Sequence, residues 1–276
     1  MKKVISLFAV LMAAAVWAED AAPTEQPVAE CSNTYGIMKI ASTSKKTIVA
    51  VPWCACSTKD NQPIAVSNII HTANLTAGDT IHVLNKDTQL FNTWELQEGA
   101  GGVLYWQTVN QVGPGGEASA SPTPDNAGIA RGDALVVIRS GTPTEGERDL
   151  TQPFYVVGQV GTGDVERVIT QGTSDAPCYN LVSSPADHSV DLLAALTNPA
   201  DGDLIQVVGT SGSPITYTYY SSSSKWGRKA GRTADYRVAN TDSTLMTTPG
   251  IGFWYVSKTS AENPPKFAWV ESVKGN

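Results

Sequence analysis

Histidine is almost missing from this chain: His71, His82 and His188 are the only three in 276 residues. A hydrolytic triad needs a base beside an activated nucleophile, and few positions are left to supply one. The Gly-x-Ser-x-Gly elbow, the phosphate-cradling P-loop, the dinucleotide fingerprint and the His-Glu-x-x-His helix are absent too. Asp187-His188-Ser189 gathers three suggestive residue types, yet neighbours in sequence cannot form a spatial triad. Glycosidase carboxylates can lie far apart in sequence, so a secreted hydrolase without a recognisable motif stays as one reading. Charged residues make up only 16% of the chain, and the balance is acidic at −7. That balance argues against nucleic acid or an anionic membrane as partner.

Long apolar runs are missing everywhere except at the start. Met1-Lys2-Lys3 leads into an apolar stretch from Val4, and Val16-Trp17-Ala18 precedes Glu19. A basic beginning, a short apolar core and small residues at the cut are the pattern of a secretory signal peptide, residues 1–18. Losing Lys2 and Lys3 moves the formal charge from −7 to −9. Beyond the cut no apolar run is long enough for a membrane helix, so no transmembrane segment is expected in the processed chain. Residues 19–30, "EDAAPTEQPVAE", are an acidic, proline-bearing leader without periodicity. The predicted location is outside the cytoplasm: periplasm, cell surface or extracellular space.

Cysteine is limited to Cys31, Cys54, Cys56 and Cys178. In an oxidising compartment an even set pairs. Cys54 and Cys56 would share a strand face and bond each other poorly, so each is expected to reach for Cys31 or Cys178. Cys54-Ala55-Cys56 with His71 falls short of the two close ligand pairs that zinc requires. No metal and no cofactor are expected.

What the sequence has in plenty is short alternating runs broken by Gly, Pro, Asn, Asp and Ser: "GIMKIAS", "TIVAVPW", "TIHVL", "VLYWQTV", "ALVVI", "PFYVV", "LIQVV", "ITYTYY", "GFWYVSK" and "KFAWVESV". Branched and aromatic residues dominate them, as suits pleated surfaces. The predicted class is all-β. Helix is expected only over His188–Leu196 and over residues 64–75, one short helix per half. Asn110–Gly128 reads as a long exposed loop.

"GDTIHV" from Gly78 and "GDLIQV" from Gly202 share four of six residues at a separation of 124. At that offset Cys54 falls on Cys178 and Val66 on Val190, while Trp106 corresponds loosely to Trp226. The pattern predicts two tandem, pseudo-equivalent antiparallel β-sandwich or β-barrel modules, residues 31–170 and 171–276. Gly-Asp also precedes strands at Gly132 and Gly163, which points to turn chemistry rather than to calcium. Arg131-Gly132-Asp133 spells an integrin tripeptide by coincidence.

Candidate binding residues are the ring cluster Tyr217, Tyr219 and Tyr220 with Trp226, and the cations Lys225 and Arg228 of "KWGRKAGR". Exposed rings on a sheet stack on sugars or contact proteins. Trp254 and Trp269, flanked by Phe253 and Phe267, read as core. The favoured function is a non-catalytic exported structural or interaction protein, with a protein or glycan partner or self-association. A tandem carbohydrate-binding module is the alternative.

Overall fold

A computed structural model of the chain describes residues 31–42, 44–52, 69–109, 129–141, 148–161, 164–208, 214–229, 236–238 and 245–270. The described residues are all-β, with four small antiparallel sheets set propeller-like in a ring. In chain order the strands are β1 (Cys31–Ile40), β2 (Lys46–Ala50), β3 (Ile70–His71), β4 (Thr80–Leu84), β5 (Phe91–Glu98), β6 (Leu104–Val109), β7 (Ala134–Ile138), β8 (Phe154–Gly161), β9 (Val165–Val168) and β10 (Cys178–Val182). There follow α1 (Leu192–Ala195), β11 (Leu196–Thr197), β12 (Leu204–Val208), β13 (Pro214–Tyr220), β14 (Lys225–Lys229), β15 (Tyr236–Val238), β16 (Phe253–Ser257) and β17 (Lys266–Trp269).

The first small sheet runs β1-β8-β3 and the first large sheet β2-β7-β4-β5-β6; the second large sheet runs β10-β16-β12-β13-β14-β15 and the second small sheet β11-β17-β9. Between the first pair lie Ile40, Ile70, Ile81, Trp94, Leu96, Leu135, Val137, Phe154 and Val156. Between the second pair lie Leu192, Ile205, Trp226, Phe253, Tyr255, Phe267 and Trp269. Alternation explains the local pattern. In "FNTWELQE" of β5 Asn92, Trp94 and Leu96 are buried and the residues between them are not, as one covered face demands.

The two halves pack directly on each other. A third apolar cluster joins the large sheets, with Ile48, Leu84, Ala134 and Val136 on one side and Leu181 and Trp254 on the other. "ALVVI" of β7 is buried on both faces for this reason: Leu135 and Val137 turn to one core, Ala134 and Val136 to the other. Backbone hydrogen bonds cross the junction, Ala50 N to Gly250 O at 2.9 Å, Gly252 N to Ile48 O at 3.0 Å and Ser183 N to Gly132 O at 2.8 Å. The outer edges of β2 and β10 are thereby closed at their C-terminal ends.

β9, which precedes residue 170, pairs with β17 in the second small sheet. Two local expectations change. The helix expected over His188–Leu196 shrinks to the single turn α1, capped by the Asp191 carboxylate on Leu193 N. Thr247 N and Leu192 N bond Val190 O and Leu245 O at 2.8 and 2.9 Å, which holds the preceding residues against the 245–247 segment. Over residues 69–75 there is strand β3 and a turn instead of helix, with Asn74 at φ 64°; residues 64–68 lie outside the described part. No helix of the described residues is long and apolar enough to cross a membrane.

Candidate functional site

The repeated Gly-Asp stretches resolve into one turn built three times. Asp79 N, Asp133 N and Asp203 N donate to the carbonyls three residues back, Thr76, Ala130 and Ala200, at 3.0, 2.9 and 3.1 Å. The same aspartates accept from those residues' N–H groups at 3.0, 2.8 and 3.0 Å. Gly78, Gly132 and Gly202 take φ of 86°, 88° and 82°, a region that penalises any residue with a Cβ. Thr248 to Ile251 makes the same turn around Gly250 without the acid. Gly163 lies outside the described residues.

All three aspartates are buried, at 0%, 4% and 0% exposure. Asp79 holds Arg148 in a two-pronged ion pair, with Nη2 to Oδ2 at 2.6 Å and Nη1 on Oδ1. Asp133 meets Lys86 at 2.9 Å and Arg167 at 3.3 Å. Asp203 accepts from the Tyr255 hydroxyl at 2.6 Å and from Lys258 N at 2.9 Å. Burial, and then the hydrogen bond and charge of Asp203, push the Tyr255 hydroxyl pKa far upward. Both oxygens of each carboxylate are engaged by protein donors, so these turns offer no carboxylate to a cation. Among the described residues no group of three or more His, Cys, Asp or Glu side chains converges. Arg131 is buried as well, its Nε on the Pro52 carbonyl at 3.1 Å, so the Arg-Gly-Asp tripeptide faces inward.

Arg139 is a second buried clasp. At 1% exposure its guanidinium is held by the carbonyls of Ser42, Ser44, Leu150 and Gln152 and lies 5.5 Å from the Phe154 ring centre. Burial, and then the charge of Arg148, lower its pKa.

The sequence-defined ring cluster does not form one surface. Trp226 is 7% exposed, its ring 5.3 Å from Tyr219 and 6.4 Å from Tyr255. Tyr217 and Tyr219 pack half-buried on the same core, and Tyr220 turns to the opposite face. Lys225 and Arg228 are exposed but lie on opposite faces of β14, opposite Tyr220 and Tyr217 respectively. Trp226 therefore presents no open ring face for a sugar to stack on. Cys178 has no disulfide partner among the described residues; the side chains of Cys31, Cys54 and Cys56 lie outside the described part.

Sequence reasoning missed a different row of rings, beside the junction of the large sheets. His82 meets Phe91 edge-on at 5.9 Å, Phe91 meets Trp254 at 6.1 Å, and Trp254 meets Tyr179 at 5.9 Å. Tyr179 stands 46% exposed at the open end. Trp254 is thus half-buried on the face opposite Phe253 and Tyr255, whereas Trp269, at 5%, is core as expected. The period-two pattern around Trp254 was the available signal, since its neighbours claim the other face.

His82 is not turned freely to solvent. Its ring bridges the hydroxyls of Thr80 and Thr93 at 2.9 and 3.0 Å. Desolvation, and then the charge of Lys46, lower its pKa below 6.5. A histidine whose folded pKa is depressed favours the fold above its unfolded pKa and loses that contribution as pH falls through about 6.5 and below. Urea denaturation at pH 7.5 and 5.0 should therefore show a drop in stability for the wild type that His82→Gln reduces. An equal drop in both would refute the assignment.

Comparison with protein-family models, curated proteins and solved structures gave no match.

Proposed function

We propose that the chain is a non-catalytic, exported structural or interaction protein in which one β unit is used twice. The strand orders support the duplication. Carried from one half to the other, β2-β7-β4-β5-β6 becomes β10-β16-β12-β13-β14, and β1-β8-β3 becomes β9-β17-β11, each visited in the same chain order. Registers agree in detail. Ile81 lies opposite Trp94 and Val137 as Ile205 lies opposite Tyr217 and Tyr255, and Leu96 opposite Trp106 as Tyr219 opposite Trp226. Val49 opposite Leu135 matches Val182 opposite Phe253, which sets Cys178 against Lys45, not Cys54. The unit boundary then falls before Val165.

The observation that carries the reading is the fate of the doubled polar residues. Asp79 and Asp203 are sealed inside turns at 0% exposure, so what the halves share builds the scaffold. Recognition is left to unshared exposed residues such as Ile37, Val103, Tyr105 and Tyr179, between 46% and 71% exposed. The glycan-binding reading moves with this from Tyr219 and Trp226 to Tyr179 and Trp254.

The test uses the full chain expressed in an exporting bacterial host. The expected product lies outside the cytoplasm, begins at Glu19 by intact mass, and turns over no generic glycoside or ester substrate. Turnover that one carboxylate replacement abolishes would establish a hydrolase instead. Polysaccharide binding lost in Tyr179→Ala would favour the glycan reading.

A further inference from the structure

We infer that β6 is a docking edge for a second copy of this chain, joined strand to strand about a two-fold axis. β6 is the last strand of the first large sheet, whereas its topological counterpart β14 carries β15 on its far side. The duplicated scaffold thus shows what this edge accepts, and among the described residues β6 lacks it. Gly99 N donates to the Val103 carbonyl at 2.9 Å. Hydrogen-bonded pairs alternate from there to Gln97–Tyr105 and Glu95–Gln107. The backbone groups of Leu104, Trp106 and Thr108 therefore point away from β5, unpaired within the sheet.

Two side-chain observations agree. The Trp106 indole N–H is buried with no hydrogen-bond partner among the described residues. β6 also carries no charge, and beside it Val103 and Tyr105 are 65% and 49% exposed. The other edges are guarded, closed or short: β1 carries Lys39, β2 carries Lys46, β9 carries Glu166 and Arg167, β15 carries Arg237, β10 is met by the Gln89 side chain at Tyr179 N and by the Gly132 carbonyl at Ser183 N, and β3 and β11 have two residues each. Charge on an edge strand is what normally prevents pairing with another chain.

A second copy fits because β6 is self-complementary. With the axis through Trp106, Leu104 faces the second copy's Thr108, Tyr105 faces its Gln107, and Trp106 faces Trp106. Outward backbone groups then meet in step, no like charges oppose each other, and the assembly closes.

The inference rests on the interaction reading above. The experiment is light scattering with sedimentation on the processed chain across a dilution series. The expected result is a reversible dimer that Y105K/Q107K weakens by at least about tenfold, since the register sets those lysines opposite one another. Both positions are exposed, and circular dichroism checks that the variant is folded. A monomer at every concentration, as when β6 is covered from within its own chain, would overturn the inference and leave the interaction reading intact. A dimer indifferent to the two lysines would overturn it equally. Turnover by the pure chain would sink the interaction reading whatever the mass.

Discussion

Gly252→Leu should destabilise the protein by more than about 3 kcal/mol, beyond the usual range for overpacking a core. A Cβ at this position would lie 2.4 Å from Ala134 Cβ, 2.9 Å from Ile48 Cγ2 and 3.1 Å from the Val182 carbonyl oxygen. Those neighbours come from β7, β2 and β10, so the point is where the two large sheets press together. Retreat is blocked because Gly252 N is already tied to the Ile48 carbonyl at 3.0 Å. Gly252→Ala should cost about 1–3 kcal/mol by the same clash, and Ala134→Gly in the same chain should return part of it by removing the closest contact. Gly202→Ala is the contrast. Nothing lies within 4 Å of its Cβ position and φ is +82°, so only backbone strain of about 1–2 kcal/mol is expected, and no second substitution relieves it. Urea midpoints followed by circular dichroism measure all four variants. A Gly252→Ala protein as stable as the wild type would mean that the sheets do not meet this closely.

The strands were legible because their signal is local. Period-two alternation in β5, and the continuous apolar run of β7, follow directly from what each strand must cover. That β7 is covered on its second face by another sheet was not legible, since a continuous run reads the same whatever lies behind it. The Gly-Asp turns were read correctly in kind, because glycine with positive φ and an aspartate bonding back to the turn need only four consecutive residues. The partners of those aspartates were hidden: Arg148 lies 69 residues from Asp79, and Tyr255 lies 52 from Asp203. Long-range register also decided the rings. Spacing alone puts Tyr217 and Tyr219 on one face without saying which face is core. The row His82, Phe91, Trp254 and Tyr179 is assembled from four strands of two sheets. The offset of 124 fits Ile81 on Ile205 but not Val49 on Val182, because the stretch from β10 to β12 is shorter than its counterpart from β2 to β4, so one gapless offset cannot hold through both.

Arg148→Met is expected to cost about 3–5 kcal/mol, the range for removing one partner of a buried ion pair. Asp79 is 0% exposed. Without Arg148 its carboxylate keeps only Thr76 N at 3.0 Å and Gly141 N at 3.1 Å. Arg148 also bonds Thr76 Oγ1 at 2.9 Å and the Gly141 carbonyl at 3.1 Å, so its removal loosens the 148–152 segment as well. Arg148→Lys should fall between, since a lysine keeps the charge and loses the planar fork. The double variant Asp79→Asn with Arg148→Met should cost less than the sum of the singles, because the uncompensated charge is gone. The second half needs no arginine here. Tyr255 occupies the place of Val137 and gives Asp203 a hydroxyl donor at 2.6 Å, so the same turn is satisfied from the neighbouring strand. Each half therefore depends on its own donor, and Tyr255→Phe should destabilise by about 1–3 kcal/mol through the unsatisfied Asp203. Denaturation curves that placed Arg148→Met within a few tenths of a kcal/mol of wild type would contradict the buried pairing, since exposed ion pairs contribute only about that much.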